Sequence, residues 1–400
     1  PAMELRKWCL RAIGGPVFIF LPRAAPGLLA LAGAYSCFRL PPSGSELRRI
    51  LFWTSLVAAY PLLSALWALS ARRALTVVLG TALIAVVAVL VYERAGRLRD
   101  VFRPAVTYGV PVIVFVCLID LLLGIPIRTA LAELGVSWVG QPAMIGKTGR
   151  VEPSAVNWSM AILVLSLFPY LNATRDESTG NVSKQALRLA VVAASAWAVA
   201  LSPHQTSMLA LSVGVLVYAT AQAAEKAALG LVAAGWLTAV AATPLIVGTA
   251  SPWTQALQGW LPFSATHRLV IWKVAVGDVA KSPWVGSGAG STRIVFREKE
   301  MNRKRQQVTG LAAHSHNWFL DLWREFGAIG AALAVLFTAI VAQRLFARAQ
   351  DIPTEQIAFL GLVLAMSSTS FGLWEVWYLS AIGLSFAMFG LTRNARTPDA

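Results

Sequence analysis

Near the C-terminal end of a long polar segment stands His314-Ser315-His316-Asn317, followed by the run from Trp318 to Gly330. Imidazole is the side chain whose ordinary pKa lies nearest neutrality, so an uncharged ring can take a proton from a hydroxyl. His316 precedes Gly327 by eleven positions, about three turns at ~3.6 residues per turn. A helix would therefore line up His316, Leu320 and Gly327 on one face, with Gly330 close by. Ser315 or Asn317 can cap its start by accepting from free backbone N–H groups. A ring in the first turn feels the positive end of the helix dipole, which disfavours protonation.

The second set of reactive groups is cationic. Thr266 to Lys273 has a helical apolar pattern with His267, Arg268 and Lys273 interleaved. Arginine presents a planar fork of donors matched to phosphate oxygens and stays charged at any working pH, so Arg268 at a membrane surface suits a lipid-linked diphosphate. Residues 293–305 hold Arg293, Arg297, Glu298, Lys299, Glu300, Arg303, Lys304 and Arg305. Such a run is either a solvated helix face or a surface for an anionic lipid or phosphorylated saccharide. His204 and Gln205 open an apolar run, and Arg150, Glu152 and Asn157 stand around the start of another. Asp120 lies inside an apolar run, which makes it a site by default unless Arg128 or Arg23 neutralises it.

Other chemistries lack their residues. No outer Asp-x-Asp or Glu-x-Asp pair is present, and His-Ser-His offers too few ligands for a closed metal site. There is no Walker motif and no legible Ser-His-Asp set. No metal and no cofactor is expected. The stretch Ser282 to Gly290 is rich in glycine but follows no strand, so it reads as a flexible loop rather than a dinucleotide fingerprint.

The elements that must position these groups are membrane helices. Of 400 residues 57% are hydrophobic and 13% charged, against roughly 25% charged in soluble domains. The apolar runs are too long and unbroken for the alternating strands of a barrel. They fall at 8–22, 25–38, 48–70, 74–92, 104–124, 154–171, 186–202, 206–223, 227–249, 327–347, 355–373 and 376–391. No leader cleavage site follows the first run, which reads as an uncleaved helix. The expectation is an all-α integral membrane protein of about twelve spans, residues 1–400 forming one polytopic domain. Lys+Arg exceed Asp+Glu by 34 − 19 = 15. With both termini inside, every inner loop is basic, as the positive-inside rule requires, and Arg72-Arg73 is the exception among short outer loops. The surplus does not suggest nucleic acid, because no aromatic-basic array accompanies it. Cys9, Cys37 and Cys117 show no disulfide or metal spacing. The large outer segment, 250–326 between spans nine and ten, carries the histidine motif and is expected on the periplasmic side.

His316-Asn317, nine residues, Gly327 and then Gly330 resemble the H-[NSQ]-x9-G signature of the O-antigen ligase and O-antigen polymerase superfamily. Arg268…Trp272 and Pro283…Gly286-x-Gly288 are similar to that family's periplasmic loop, and the span arrangement is similar too. The resemblance implies a metal-independent, inverting glycosyltransferase of the GT-C type in the bacterial inner membrane. It implies undecaprenyl-diphosphate-linked O-antigen as donor, lipid A-core as acceptor, and membrane lipids around the protein. Carried over, His316 takes the catalytic position and Arg268 the diphosphate-binding one. Many members have Ser-Arg where this chain has Pro203-His204-Gln205-Thr206. A second phosphate ligand is then sought in Arg150, with His204 and Gln205 as hydrogen-bonding substitutes. Asn317, His314 and Lys273 are supporting candidates, and Arg293, Arg297 and Arg303 an acceptor or lipid surface. A ligase is favoured because only one outer loop is large. An O-antigen polymerase, a protein O-oligosaccharyltransferase and, in another class, a transporter are the alternatives.

Overall fold

The computed structural model describes residues 22–133, 156–178, 181–249, 260–261, 263–296 and 314–392. Among them every regular element is helical: α1 (Ala25–Arg39), α2 (Gly44–Leu63), α3 (Ala71–Ala95), α4 (Arg99–Leu122), α5 (Pro126–Glu133), α6 (Asn157–Ser178), α7 (Val182–Leu201), α8 (Gln205–Ala223), α9 (Glu225–Thr249), α10 (Phe263–Val279), α11 (Trp318–Phe346), α12 (Thr354–Thr369) and α13 (Val376–Met388). Ser43, Ser70, Asn181 and Asn317 cap α2, α3, α7 and α11 by accepting from backbone N–H groups in the first turn, which satisfies donors that a helix leaves free.

Eleven of the twelve apolar runs coincide with these helices, and the run at 8–22 lies almost wholly outside the described residues. Among the described residues seven helices are long and apolar enough to cross a membrane: Gly44–Leu66, Ala71–Ala95, Arg99–Leu122, Val182–Leu201, Gln205–Ala223, Glu225–Gly248 and Trp318–Phe346. The chain is a multi-pass helical membrane protein. The other helices with apolar runs are shorter or less apolar, and three of them are enclosed by their neighbours. Met160 to Leu165 of α6 are buried on every side, as are Ile357, Ala358 and Leu362 of α12 and Tyr378 and Ala381 of α13. A helix apolar all round and enclosed by others belongs to the core of the bundle. The outer helices instead expose Leu56, Leu79, Leu83, Leu216, Leu231 and Leu245, a belt suited to lipid rather than water.

Contacts between helix ends define two faces. On one, Arg94 holds Glu46 through two bonds of 2.6 and 2.9 Å and also the Leu40 carbonyl. There too Arg103 and Arg188 reach the Ala173 and Leu171 carbonyls, and Arg175 and Arg188 flank Glu355 at 3.8 and 3.6 Å. This basic face is the one the positive-inside rule assigns to the cytoplasm. The histidine motif is on the other. Arg73, the apparent exception to that rule, donates from Nε to the Gly290 carbonyl at 2.9 Å, so it anchors the outer layer. Asp120 is neutralised by Arg128, which also donates to Ser159 at 2.7 Å. That carboxylate belongs to the structure of the bundle.

The glycine-rich stretch is a packed strap, not a flexible loop. Helix α11 breaks at Gly327, whose φ is 61°. Beyond the break the N–H groups of Ala328 and Ile329 donate to the Pro283 and Trp284 carbonyls at 2.8 and 3.1 Å. The carbonyls they would have met in a straight helix, those of Arg324 and Glu325, accept from Ser287 and Gly288 at 2.8 Å each. The Glu325 carboxylate takes the N–H of Gly290 at 2.8 Å, that of Thr292 at 3.0 Å and the Trp374 indole. Gly286 and Gly288 have φ of 66° and 83°, and a Cβ there would lie 2.3 Å from the Glu325 backbone or 2.4 Å from Ala68 Cα. Glycine is needed at these positions for both reasons. The last residues of the 250–326 segment, from Trp318, already belong to α11.

Candidate functional site

The site forms where three segments meet on the histidine face: the loop 314–317, the start of α8 with α10, and the connection 370–375 between α12 and α13. Asn317 is the cap of α11, its Oδ1 accepting from Phe319 and Leu320 at 2.9 and 3.1 Å. His316 therefore lies one residue outside the helix, not within its first turn, and Gly327 ends the regular helical phase. His316 has φ of 55°, a left-handed conformation that costs a non-glycine residue about 1–2 kcal/mol. Surrounding bonds hold it there. Trp272 of α10 donates to the Ser315 carbonyl at 2.9 Å. Ser315 Oγ donates to Asp321 at 2.6 Å, and the other oxygen of Asp321 accepts from Leu373 N–H at 3.1 Å. Trp318 donates to the Gly372 carbonyl at 3.0 Å. Asp321 thus ties the histidine loop to the 370–375 connection.

His316 Nδ1 is hydrogen-bonded to the Ser370 carbonyl. A carbonyl only accepts, so Nδ1 carries the hydrogen and Nε2 keeps its lone pair. Burial, with smaller help from the charges of Arg268 and His267, brings its pKa down to about 4, against the opposing pull of the Ser370 bond. The ring is an uncharged base at neutral pH. His314 packs beside it with centroids 4.2 Å apart, and its Nδ1 accepts the His316 N–H at 3.2 Å. Burial holds His314 well below the usual imidazole range as well.

Arg268 lies on α10 and reaches α8: Nη2 donates to Thr206 Oγ1 and Nη1 to the Ser264 carbonyl, both at 3.3 Å. Its Nε is buried without a hydrogen-bond partner, and burial lowers its pKa from the usual guanidinium value. A guanidinium with a donor to spare, beside a neutral imidazole, is suited to an anion. His204 precedes α8, its Nδ1 2.7 Å from Ser207 Oγ and its Nε2 3.3 Å from Ser370 Oγ. Burial and the charge of Arg268 bring it down to about 3. Gln205 accepts from Ser264 at 2.5 Å, joining the starts of α8 and α10.

The structure therefore brings His316, His314, Asn317, Arg268, His204 and Gln205 together. Lys273 is exposed on α10, five residues past Arg268 and so ~140° around the helix at ~3.6 residues per turn. Arg293 is exposed on the helical turn 291–296, and its charge acts on His314 and, with Arg23 and Arg73, on Glu375. Arg150, Arg297 and Arg303 lie outside the described residues. Sequence reasoning missed Ser370, Gly372 and Asp321. The run Ser367-Ser368-Thr369-Ser370, which ends an otherwise apolar helix, was the available signal.

The described residues thus form a helical membrane bundle in which a neutral imidazole and a buried guanidinium share one face. The family model for O-antigen ligase matches residues 190–335, the stretch from α7 to the middle of α11. That part of the chain is similar to the O-antigen ligase family, which agrees with the resemblance carried by the histidine motif. No curated protein matches the chain.

Proposed function

We propose that this protein is an O-antigen ligase, a GT-C type enzyme that works without metal at the periplasmic face of the inner membrane. It moves polysaccharide from undecaprenyl diphosphate to a sugar hydroxyl of lipid A-core. His316 Nε2 takes the proton of the acceptor hydroxyl while that oxygen attacks the anomeric carbon. The bond from that carbon to the diphosphate oxygen breaks on the opposite side, and single displacement inverts the centre. Arg268 holds the diphosphate and stabilises the charge it gains on leaving. The approach of that anion raises the low pKa of His316 towards the range useful for a base.

The observation that carries this reading is the His316–Ser370 hydrogen bond, which leaves Nε2 as an acceptor beside Arg268, whose Nε has no partner. The decisive experiment incubates purified protein with a lipid-linked glycan, with and without lipid A-core, in EDTA. Glycan should appear on core and only when core is added. Elongated lipid-linked glycan would make the protein a polymerase, and activity lost to chelation would overturn the metal-free mechanism. His316→Ala should lower transfer by roughly 10² to 10⁴, the usual contribution of a positioned base.

A further inference from the structure

The connection 370–375 is tied to the histidine motif along most of its length. The Ser370 carbonyl meets His316, and a Cβ on Gly372 would lie 3.0 Å from that of His314. Leu373 N–H and the Trp374 indole bond to Asp321 and Glu325. Glu375 ends the connection, its N–H turned back to the Gly372 carbonyl at 3.2 Å. Its carboxylate is half-buried, makes no cap bond to α13, and has no hydrogen bond or ion pair among the described residues. Burial holds it above the usual carboxylate range, against the pull of Arg293, Arg23 and Arg73. Arg23 already lies over the Trp158 ring at 5.5 Å and Arg73 is held by the Gly290 carbonyl, so these two supply charge only. Arg293, three residues beyond Gly290, is exposed and likewise has no hydrogen bond or ion pair among the described residues.

These two unpaired groups flank the histidines on one side, and Arg268 flanks them on the other. Arg293 acts on His314 ahead of Arg268, whereas Arg268 is the leading charge on both His316 and His204. Single displacement needs the attacking hydroxyl on the face of the anomeric carbon opposite the leaving diphosphate, and so opposite Arg268. We propose that Glu375 and Arg293 bind the acceptor saccharide on that opposite flank. The Glu375 carboxylate accepts from hydroxyls of a sugar next to the reacting one, and Arg293 grips a phosphate on the same saccharide. A carboxylate accepts such bonds more strongly than a neutral oxygen, and a guanidinium fork fits phosphate. Three arginines around one carboxylate leave the flank positive, which favours an anionic saccharide over a neutral one. A carboxylate drawn partly out of water without a donor is costly, and the sugar hydroxyls relieve that cost. This inference rests on the ligase reading and names the part of the site that receives the acceptor.

The test is transfer kinetics of the purified full-length protein, with the lipid-linked glycan and lipid A-core titrated in turn, the core sugars either carrying their phosphates or stripped of them. Stripping should raise the wild-type KM for core about tenfold, the loss of one charge-assisted contact of ~1.4 kcal/mol. Arg293→Gln should raise the KM for phosphorylated core about tenfold and erase the difference between the two forms. Glu375→Gln should raise the KM for both forms about tenfold and keep the difference. The KM for the lipid-linked glycan should stay the same in both variants. Arg72→Gln, an exposed arginine beside Arg73, should change nothing. Should Glu375→Gln lower the melting temperature, Arg293→Gln decides, because that side chain is exposed and supports no bond. An unchanged KM for core in a folded variant, an equal rise in the KM for the lipid-linked glycan, or the same rise in Arg72→Gln would overturn the proposal. Wild-type protein that puts no glycan on core ends the ligase reading and this inference together, whereas normal wild-type transfer with unaffected variants ends this inference alone.

Discussion

Replacing Gly327 with alanine probes the break in α11 that carries the strap. At φ of 61° and ψ of −162°, a conformation essentially reserved for glycine, a side chain costs about 1–3 kcal/mol. The added Cβ would also lie 2.4 Å from both the carbonyl carbon and oxygen of Trp284 and 2.7 Å from Gly286 N. These are backbone atoms, so no rotamer change relieves the overlap and the strap itself has to move. Four hydrogen bonds depend on its position: Ala328 N–H to Pro283, Ile329 N–H to Trp284, Ser287 N–H to Arg324 and Gly288 N–H to Glu325. At roughly 0.5–1.5 kcal/mol each, and with the backbone term, the loss is on the order of 3–9 kcal/mol. Thermal unfolding in detergent, followed by tryptophan fluorescence, should show a drop of several degrees, and glycan transfer should be abolished. Gly277→Ala is the control. That glycine is in the last turn of α10 with open space where a Cβ would go, so the change should leave stability equal or raise it by at most about 0.5–1 kcal/mol. A Gly327→Ala protein that melts and transfers like the wild type would refute the account of the break.

Three further expectations follow from the site. The pH profile of kcat/KM should keep its full value down to about pH 5 and fall through about 4, because lowering the pKa of a base extends its uncharged form towards acid. A midpoint near the ordinary ~6.5 would mean that His316 is not the base or is not buried. Arg268→Lys should cost about ten- to a hundredfold in transfer, since a point charge lacks the fork; near-normal activity would remove Arg268 from the diphosphate. Asp321→Ala strips partners from both Ser315 and Leu373 and should destabilise by about 2–4 kcal/mol. Asp321→Asn should retain more stability, because its oxygen can accept from Leu373 while its amide donates to Ser315. Equal melting temperatures for the two variants would show that Asp321 does not join the segments.

The helices were legible because apolar runs long enough to span a membrane leave the backbone few alternatives. That His316 and Arg268 share one face was legible because a histidine at a helix start and an arginine in an apolar helical pattern each drew attention by residue type. What the chain did not disclose depends on contacts across long separations. Ser370 meets His316 from 54 residues away, and no local pattern marks a backbone carbonyl as an orienting group. The strap looked flexible because glycines are permissive in isolation. Its rigidity comes from Glu325 and Ala68, which are remote in sequence. Hydropathy placed the start of a span at residue 327, whereas the cap at Asn317 and the break at Gly327 show a helix of two parts. Arg73 looked out of place until its partner, the Gly290 carbonyl, was known.

The exchange of hydrogen bonds at Gly327 has a mechanical meaning for a protein in a bilayer. Both sides of the break are bonded to the strap, the Arg324 and Glu325 carbonyls before it and the Ala328 and Ile329 N–H groups after it, and only beyond Ile329 does the helix run on as a lipid-facing rod. Hydrophobic helices answer changes in bilayer thickness by tilting. With the break stitched on both sides, tilt of the rod has to be taken up beyond Ile329, away from the imidazole and the guanidinium.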